Sequence, residues 1–159
     1  MNFEVTMRTG IIFQRSAALL LTLLISSQAG GQAHSIPTSR WINPENLVKV
    51  LEMGKEKPLI LEVGPHILFA QAHIVGSEYA GAASTEAGLS QLRKRVESVA
   101  RSQFIVLYCG CCPWSHCPNV KPADDALTAM GFTNLKVLYL SDNFGTNWVD
   151  KGYPTAKGE

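Results

Sequence analysis

The sequence predicts an α/β fold: a single domain with a mostly parallel central sheet and helices on both faces. Three observations predict it. Two stretches, LILEV (59–63) and FIVLY (104–108), have the largely apolar, non-alternating character of strands buried on both sides, Glu62 being the one charged residue in them. Segments of helical period alternate with them along the chain. Helices and strands in alternation are the pattern of crossover helices packed on a parallel sheet.

Composition agrees with a globular chain. The 159 residues are 46% hydrophobic and 17% charged, with a formal net charge of +1. That length suits one domain and buries a core without help from disulfides. Near-neutral charge gives no footprint for nucleic acid or an anionic membrane surface. No polar low-complexity run points to a long disordered tail. All four cysteines, however, fall between Cys109 and Cys117. Cysteines spread along a chain suggest a disulfide framework. Gathered in one short loop, they suggest a site.

The first segment reads as a secretory signal. Ser16 to Ser27 is an uncharged apolar run preceded by Arg8 and Arg15 and followed by small residues. A basic start, a short apolar centre and a small-residue cleavage site define such signals. The run is shorter than the roughly 20 apolar residues a spanning helix needs. Residues 1–29 are therefore expected to be removed, with cleavage after Ala33 also compatible. Met7 is an alternative start. The remainder has 12 basic and 12 acidic residues and keeps every cysteine. Export to the periplasm or outside the cell would place these thiols in an oxidising compartment.

Residues 30–42 form a polar lead-in, and the domain proper is expected over 43–157. Asn43-Pro44-Glu45 opens a helix as cap, first-turn proline and acid at the positive end. Leu47, Val50 and Leu51 follow at helical spacing, and Gly54 stops it. Leu59–Val63 is the first strand, set between Pro58 and Gly64. A turn at Gly76 and a short strand near Tyr79 come next. Thr85 caps a helix with Leu89, Leu92, Val96 and Val99 on one face. Arg93, Lys94 and Arg95 are its solvated surface. Phe104–Tyr108 is the second long strand. After the cysteine loop, a helix starting near Pro122 turns Ala123, Ala126, Leu127 and Met130 inward and ends at Gly131. Leu135–Leu140 is a further strand, and a last short helix carries Phe144 and Trp148.

Cys109 directly follows the strand FIVLY. Ligands of open α/β sheets bind where strands end at their carboxyl edge. A sulfur nucleophile must be a thiolate, and a loop entering a helix can lower its pKa through N–H groups and the helix dipole. The loop CGCCPWSHCPNVKP fits that geometry, although Pro113, Pro118 and Pro122 supply no N–H. His116 and Lys121 are its only titratable cations and the candidate anion contacts. Trp114 is expected to pack the loop onto the sheet.

In order and spacing, four segments resemble a rhodanese-type domain. LILEV (59–63) resembles that family's first core strand, which usually ends in Asp-Val-Arg. AHIVGS (72–77) is similar to its Gly-His-Ile-Pro-Gly-Ala signature. VLYC (106–109) resembles the strand that delivers the catalytic cysteine. Gly131-Phe132, then Trp148 and Gly152-Tyr153-Pro154, resemble its closing signature. The resemblance spans about Asn43 to Thr155. It implies a rhodanese-like fold and a sulfurtransferase that carries a sulfane sulfur as a persulfide on Cys109. It implies a small sulfur-containing donor, a thiophilic acceptor such as a thiol, and no cofactor. It also makes His73 structural. Neither His66 nor His34 belongs to a catalytic constellation.

The sequence departs from the family at four places. Glu62 replaces the usual Asp and Gly64 the usual Arg. Asp142-Asn143 stands where Gly-Gly is common. The cysteine loop is longer than usual and lacks the arginine that supports an anionic substrate. No cysteine has an arginine six positions on, which disfavours phosphatase-like chemistry.

Cys111, Cys112 and Cys117 are possible resolving or redox thiols. Cys109 and Cys112 form a C-x-x-C pair, a spacing that supports dithiol chemistry. A neighbouring thiol can also attack a Cys109 persulfide, release sulfide and leave a disulfide. Bridges 109–112 with 111–117, or 109–111 with 112–117, remain open. Four thiols and His116 are ligand types for zinc or copper(I). Yet zinc sites usually draw ligands from two separated knuckles, so no metal ligand is assigned. A thiol–disulfide redox or metal-binding module is the alternative to sulfur transfer.

Overall fold

The computed structural model describes residues 35–158. The signal at 1–29 and His34 lie outside them. Four helices flank the sheet: α1 (Pro44–Met53), α2 (His66–Gln71), α3 (Glu86–Val96) and α4 (Val120–Ala129). The strands are β1 (Trp41–Ile42), β2 (Leu59–Glu62), β3 (His73–Ile74), β4 (Glu78–Tyr79), β5 (Ile105–Tyr108), β6 (Leu135–Leu138) and β7 (Thr155–Ala156). Five form a wholly parallel sheet in the order β1-β6-β5-β2-β4. β5 is central, and its residues Leu107 and Tyr108 pair with Leu61 and Glu62 of β2.

The caps form as expected. Asn43 Oδ1 accepts from the Asn46 N–H at 3.0 Å and starts α1. Thr85 Oγ1 accepts from the Gly88 N–H at 3.0 Å and starts α3. Both satisfy a donor that the first helical turn leaves free.

Alternate residues of the central strands feed two cores. Leu61, Val63, Ile105 and Leu107 pack with Leu92 and Val96 of α3 and Ala123 and Leu127 of α4. Ile60, Val106 and Tyr108 pack on the other face with Leu47 of α1 and with Phe144 and Trp148. The sheet is thus covered on both sides, as the continuous apolar strands require.

Four features differ from the sequence reading. Trp41 and Ile42 are a sheet edge pairing with β6 rather than lead-in. Two residues carry no readable period; stacking of Trp41 on Tyr139, at 4.7 Å between centroids, holds the edge. The short α2 is unforeseen because its HILFAQ run is apolar without period and buries only Phe69. β3 and β7 form a separate antiparallel pair of two residues each. Finally, α4 starts at Val120 rather than near Pro122, and Asp124 is buried on it. Arg40 neutralises that acid at 2.6 Å.

The AHIVGS segment is structural. Gly76 adopts φ +78°, a left-handed conformation suited to glycine, in the turn between β3 and β4. His73 is buried, holds the Phe69 carbonyl through Nδ1 at 2.9 Å and stacks on the Phe69 ring. Trp148, fully buried, donates its indole N–H to the Pro154 carbonyl at 3.1 Å.

Candidate active site

Cys109 is the first residue after β5 and is only 4% exposed. The chain then loops out through a 3-10 turn at Trp114–His116 and returns into α4. Trp114 seats this loop, as expected. Its ring meets Trp41 edge-on at 5.1 Å, and its backbone N–H donates to the Leu140 carbonyl at 2.9 Å. The path brings Cys117 back to Cys109. The sulfurs of Cys109, Cys111 and Cys117 all lie within 4.8 Å of one another. Cys109 Sγ is 3.1 Å from Cys111 Sγ, which is 2.9 Å from Cys112 Sγ. All four are free thiols. Cys109 therefore meets the sulfurs of Cys111 and Cys117, and its C-x-x-C partner Cys112 contacts Cys111 instead.

Two further residues complete the site. Asn119, 2% exposed, accepts the Ser84 N–H on Oδ1 at 2.8 Å. Its Nδ2 donates to Cys109 Sγ at 3.5 Å and points at Cys111 Sγ at 3.9 Å. The sequence reading missed Asn119 because a lone Asn between Pro118 and Val120 carries no spacing that points to a distant sulfur. Here its side chain makes no cap bond. The other residue is Glu62, at the end of β2 beside β5. It is 2% exposed, and Oε1 accepts the Gly110 N–H at 3.3 Å. Its Oε2 is buried with no hydrogen-bond partner.

Gly64 explains why this crowding is possible. A Cβ at 64 would sit 2.6 Å from Glu62 Oε1 and 2.7 Å from Cys109 Sγ. Those two atoms flank one point, and only a residue without a side chain leaves room for both. An arginine at this position would have to displace Glu62 Oε1 and Cys109 Sγ from where they stand.

The charge distribution is unequal among the thiols. The Cys117 thiol is lowered to about 6, first by a hydrogen bond from the Cys109 thiol and then, against burial, by the N–H groups of Asn119 and Val120. These N–H groups open α4 and have no partner within the helix. Cys109 is pushed upward by that same bond to Cys117 and by burial. The two thiols are thus pushed in opposite directions, Cys117 toward the thiolate and Cys109 toward the protonated form. Sequence reasoning offered the helix start to Cys109; the structure turns it toward Cys117. Burial and the neighbouring thiols push Cys112 up to about 12. Burial also raises the Glu62 carboxyl to about 7, against the lowering effect of the Gly110 and Gly64 N–H groups.

The two candidate anion contacts are engaged elsewhere. His116 Nδ1 pairs with Ser115 Oγ at 2.9 Å on the exposed loop. Lys121 pairs with Asp125 one helical turn along α4. Among the described residues, no lysine, arginine or histidine side chain has a polar contact with Glu62 or the four thiols. Three thiols within reach of one another have the softness and spacing to bridge a soft metal ion. Cys112 stands outside that trio.

No family model matches the sequence, and no curated protein matches it. Solved structures do. The rhodanese-like domain of an Anabaena protein, determined in solution, superposes with a TM-score of 0.56 at 22% identity, covering 74% of this chain and 79% of that one. A Bacillus halodurans protein gives 0.58 at 15% identity over 75% and 77% of the two chains. A full-length Lactobacillus plantarum protein gives 0.54 at 16% identity over 75% and 88%. With its five-stranded parallel sheet and helices on both faces, the chain has a rhodanese-like fold.

Proposed function

We propose that this protein is a sulfurtransferase that carries a sulfane sulfur as a persulfide on Cys109 and passes it to a thiol acceptor. One observation carries the reading: Cys109 ends the central strand, buried beside a second thiol able to take its proton. Their surroundings push Cys117 toward the thiolate and favour the proton on Cys109. Transfer of that proton to Cys117 exposes the Cys109 thiolate as nucleophile without recruiting an outside base. Asn119 Nδ2, 3.5 Å from Cys109 Sγ, supports the sulfur as it gains charge.

A second reading is favoured by the 3.1 Å contact between Cys109 and Cys111. The Cys111 thiolate can attack the inner sulfur of Cys109–S–SH. A Cys109–Cys111 disulfide then forms and hydrosulfide leaves with the electron pair. Transfer and thiol–disulfide chemistry become successive phases of one cycle, with Cys112 next in line.

We place this activity outside the cytoplasm, after removal of the apolar N-terminal segment, with small sulfur compounds rather than nucleic acid or membrane as partners. Intact-mass spectrometry of the exported protein after treatment with a sulfane-sulfur donor tests the whole reading. Gain of one sulfur mapped to Cys109 is expected. Loss of two hydrogens alone assigns the site to redox chemistry instead.

A further inference from the structure

The sulfur-transfer reading leaves the donor open, and Glu62 narrows it. A buried carboxyl oxygen without a partner costs about 1–3 kcal/mol and calls for a hydrogen-bond donor. Glu62 also lines a cavity of about 150 Å³ with Phe69, Gln71, Tyr108, Gly110 and Phe144. The same carboxyl flanks Cys109 Sγ across Gly64. The Tyr108 hydroxyl cannot supply the missing donor, since it is tied to Ser77 Oγ at 3.1 Å and the Ile74 N–H at 3.3 Å. The carboxyl thus stands between that space and the reactive sulfur, which does not itself line the cavity. The site offers no cation to a dianion such as thiosulfate. Bringing such a dianion out of water beside a carboxyl is strongly unfavourable.

We propose that the donor is a short aminothiol persulfide whose ammonium group pairs with Glu62 in this cavity while its outer sulfur meets Cys109. The proposal rests on the sulfurtransferase reading and specifies its substrate class. The Cys109 thiolate attacks the outer sulfur of R–S–SH. The S–S bond of the donor breaks, and a new one forms as Cys109–S–SH. The inner sulfur leaves with the bonding pair as a thiolate and takes up the proton that Cys109 gave to Cys117. One S–S bond replaces another, so no outside oxidant or reductant is required.

The test compares three donors by the rate of sulfur gain at Cys109, read by mass spectrometry. Cysteamine persulfide is expected to load at least tenfold faster than N-acetylcysteamine persulfide, which keeps the chain but lacks the ammonium. Thiosulfate is expected to be slowest. Glu62→Gln keeps an acceptor for the Gly110 N–H and should bring the cysteamine to N-acetylcysteamine ratio near one. Equal loading of these two donors by the unaltered protein overturns the proposal while leaving sulfur transfer standing, as does a ratio unchanged in Glu62→Gln. If that variant does not fold, the ratio in the unaltered protein decides. Failure of every donor to load Cys109 overturns both.

Discussion

Glu62 and Tyr108 are neighbours in register on adjacent parallel strands, and both bury a polar group. Tyr108 spends its hydroxyl fully on Ser77 and Ile74, tying the sheet to the AHIVGS turn. Glu62 has one oxygen on the Gly110 N–H and the other unpaired. The difference separates structure from chemistry. A satisfied buried group rigidifies a core, whereas a half-satisfied one is retained at a cost and marks a place where something else binds or reacts. Cys109 lies on the Glu62 side of that divide, beside Gly64.

The largest expected effect comes from Cys109, the sulfur proposed to react. Cys109→Ser should reduce sulfur gain to background in the mass assay while the protein stays folded, because serine fits the same space. Full loading in that variant sinks the assignment of Cys109.

Glu62 should make stability fall with pH. Its carboxyl is displaced upward from 4.5 to about 7 by burial, so the folded state holds a proton that the unfolded chain releases in that interval. Below pH 4.5 both states are protonated and the contribution is complete. As pH rises to 7 it is lost, by about 3 kcal/mol in all. Urea unfolding across this range should show the decline, and Glu62→Gln should flatten it. An equally steep decline in the variant removes Glu62 as its cause.

Tyr108→Phe probes the satisfied partner. It leaves the Ile74 N–H and the Ser77 hydroxyl short of a partner, at a cost of about 1–3 kcal/mol in urea unfolding. The rate of sulfur gain at Cys109 should change little. A large loss of rate with intact stability would move Tyr108 to the reactive side of the comparison.

These two residues also show what was legible in the sequence. β2 and β5 were readable because both faces are buried and their runs are apolar without alternation, apart from Glu62 at the end of β2; the position of Cys109 followed from the end of β5. Asn119 and the state of Glu62 were not, because both depend on contacts across the fold: Ser84 lies 35 residues from Asn119 and Gly110 lies 48 from Glu62. The return of Cys117 to Cys109 depends on how Trp114 seats the loop against Trp41 and Tyr139. Edge strands of two residues have too few positions to show a period, so β1, β3 and β7 left no pattern to read.

Cys117 offers a finer distinction among the thiols. A thiol lowered to about 6 is mostly ionised at pH 7, while an ordinary one is a few per cent ionised. Lower intrinsic nucleophilicity offsets part of that gain. Against Cys112, pushed up to about 12, the lower nucleophilicity returns only part of the difference in ionisation, so peptide-mapped alkylation at pH 7 should label Cys117 about a hundredfold faster, with a midpoint near pH 6. Cys117→Ser should also slow sulfur gain at Cys109, since it removes the proton acceptor. Undiminished gain would show that Cys109 passes its proton elsewhere.

The smallest effect belongs to the loop cations. His116 is exposed with Nδ1 on Ser115, and Lys121 pairs with Asp125 on the helix surface. Exposed pairs of this kind contribute under about 1 kcal/mol, so His116→Ala and Lys121→Ala should scarcely alter unfolding. Their effect on loading separates two kinds of site. An anion-binding loop would lose thiosulfate loading when either cation is removed. A site organised around Glu62 should keep its cysteamine persulfide rate within about twofold, a difference of about 0.4 kcal/mol, and thiosulfate should stay poor throughout. A marked, selective loss with thiosulfate in either variant would assign the anion role to the loop and undo the contrast drawn from Glu62.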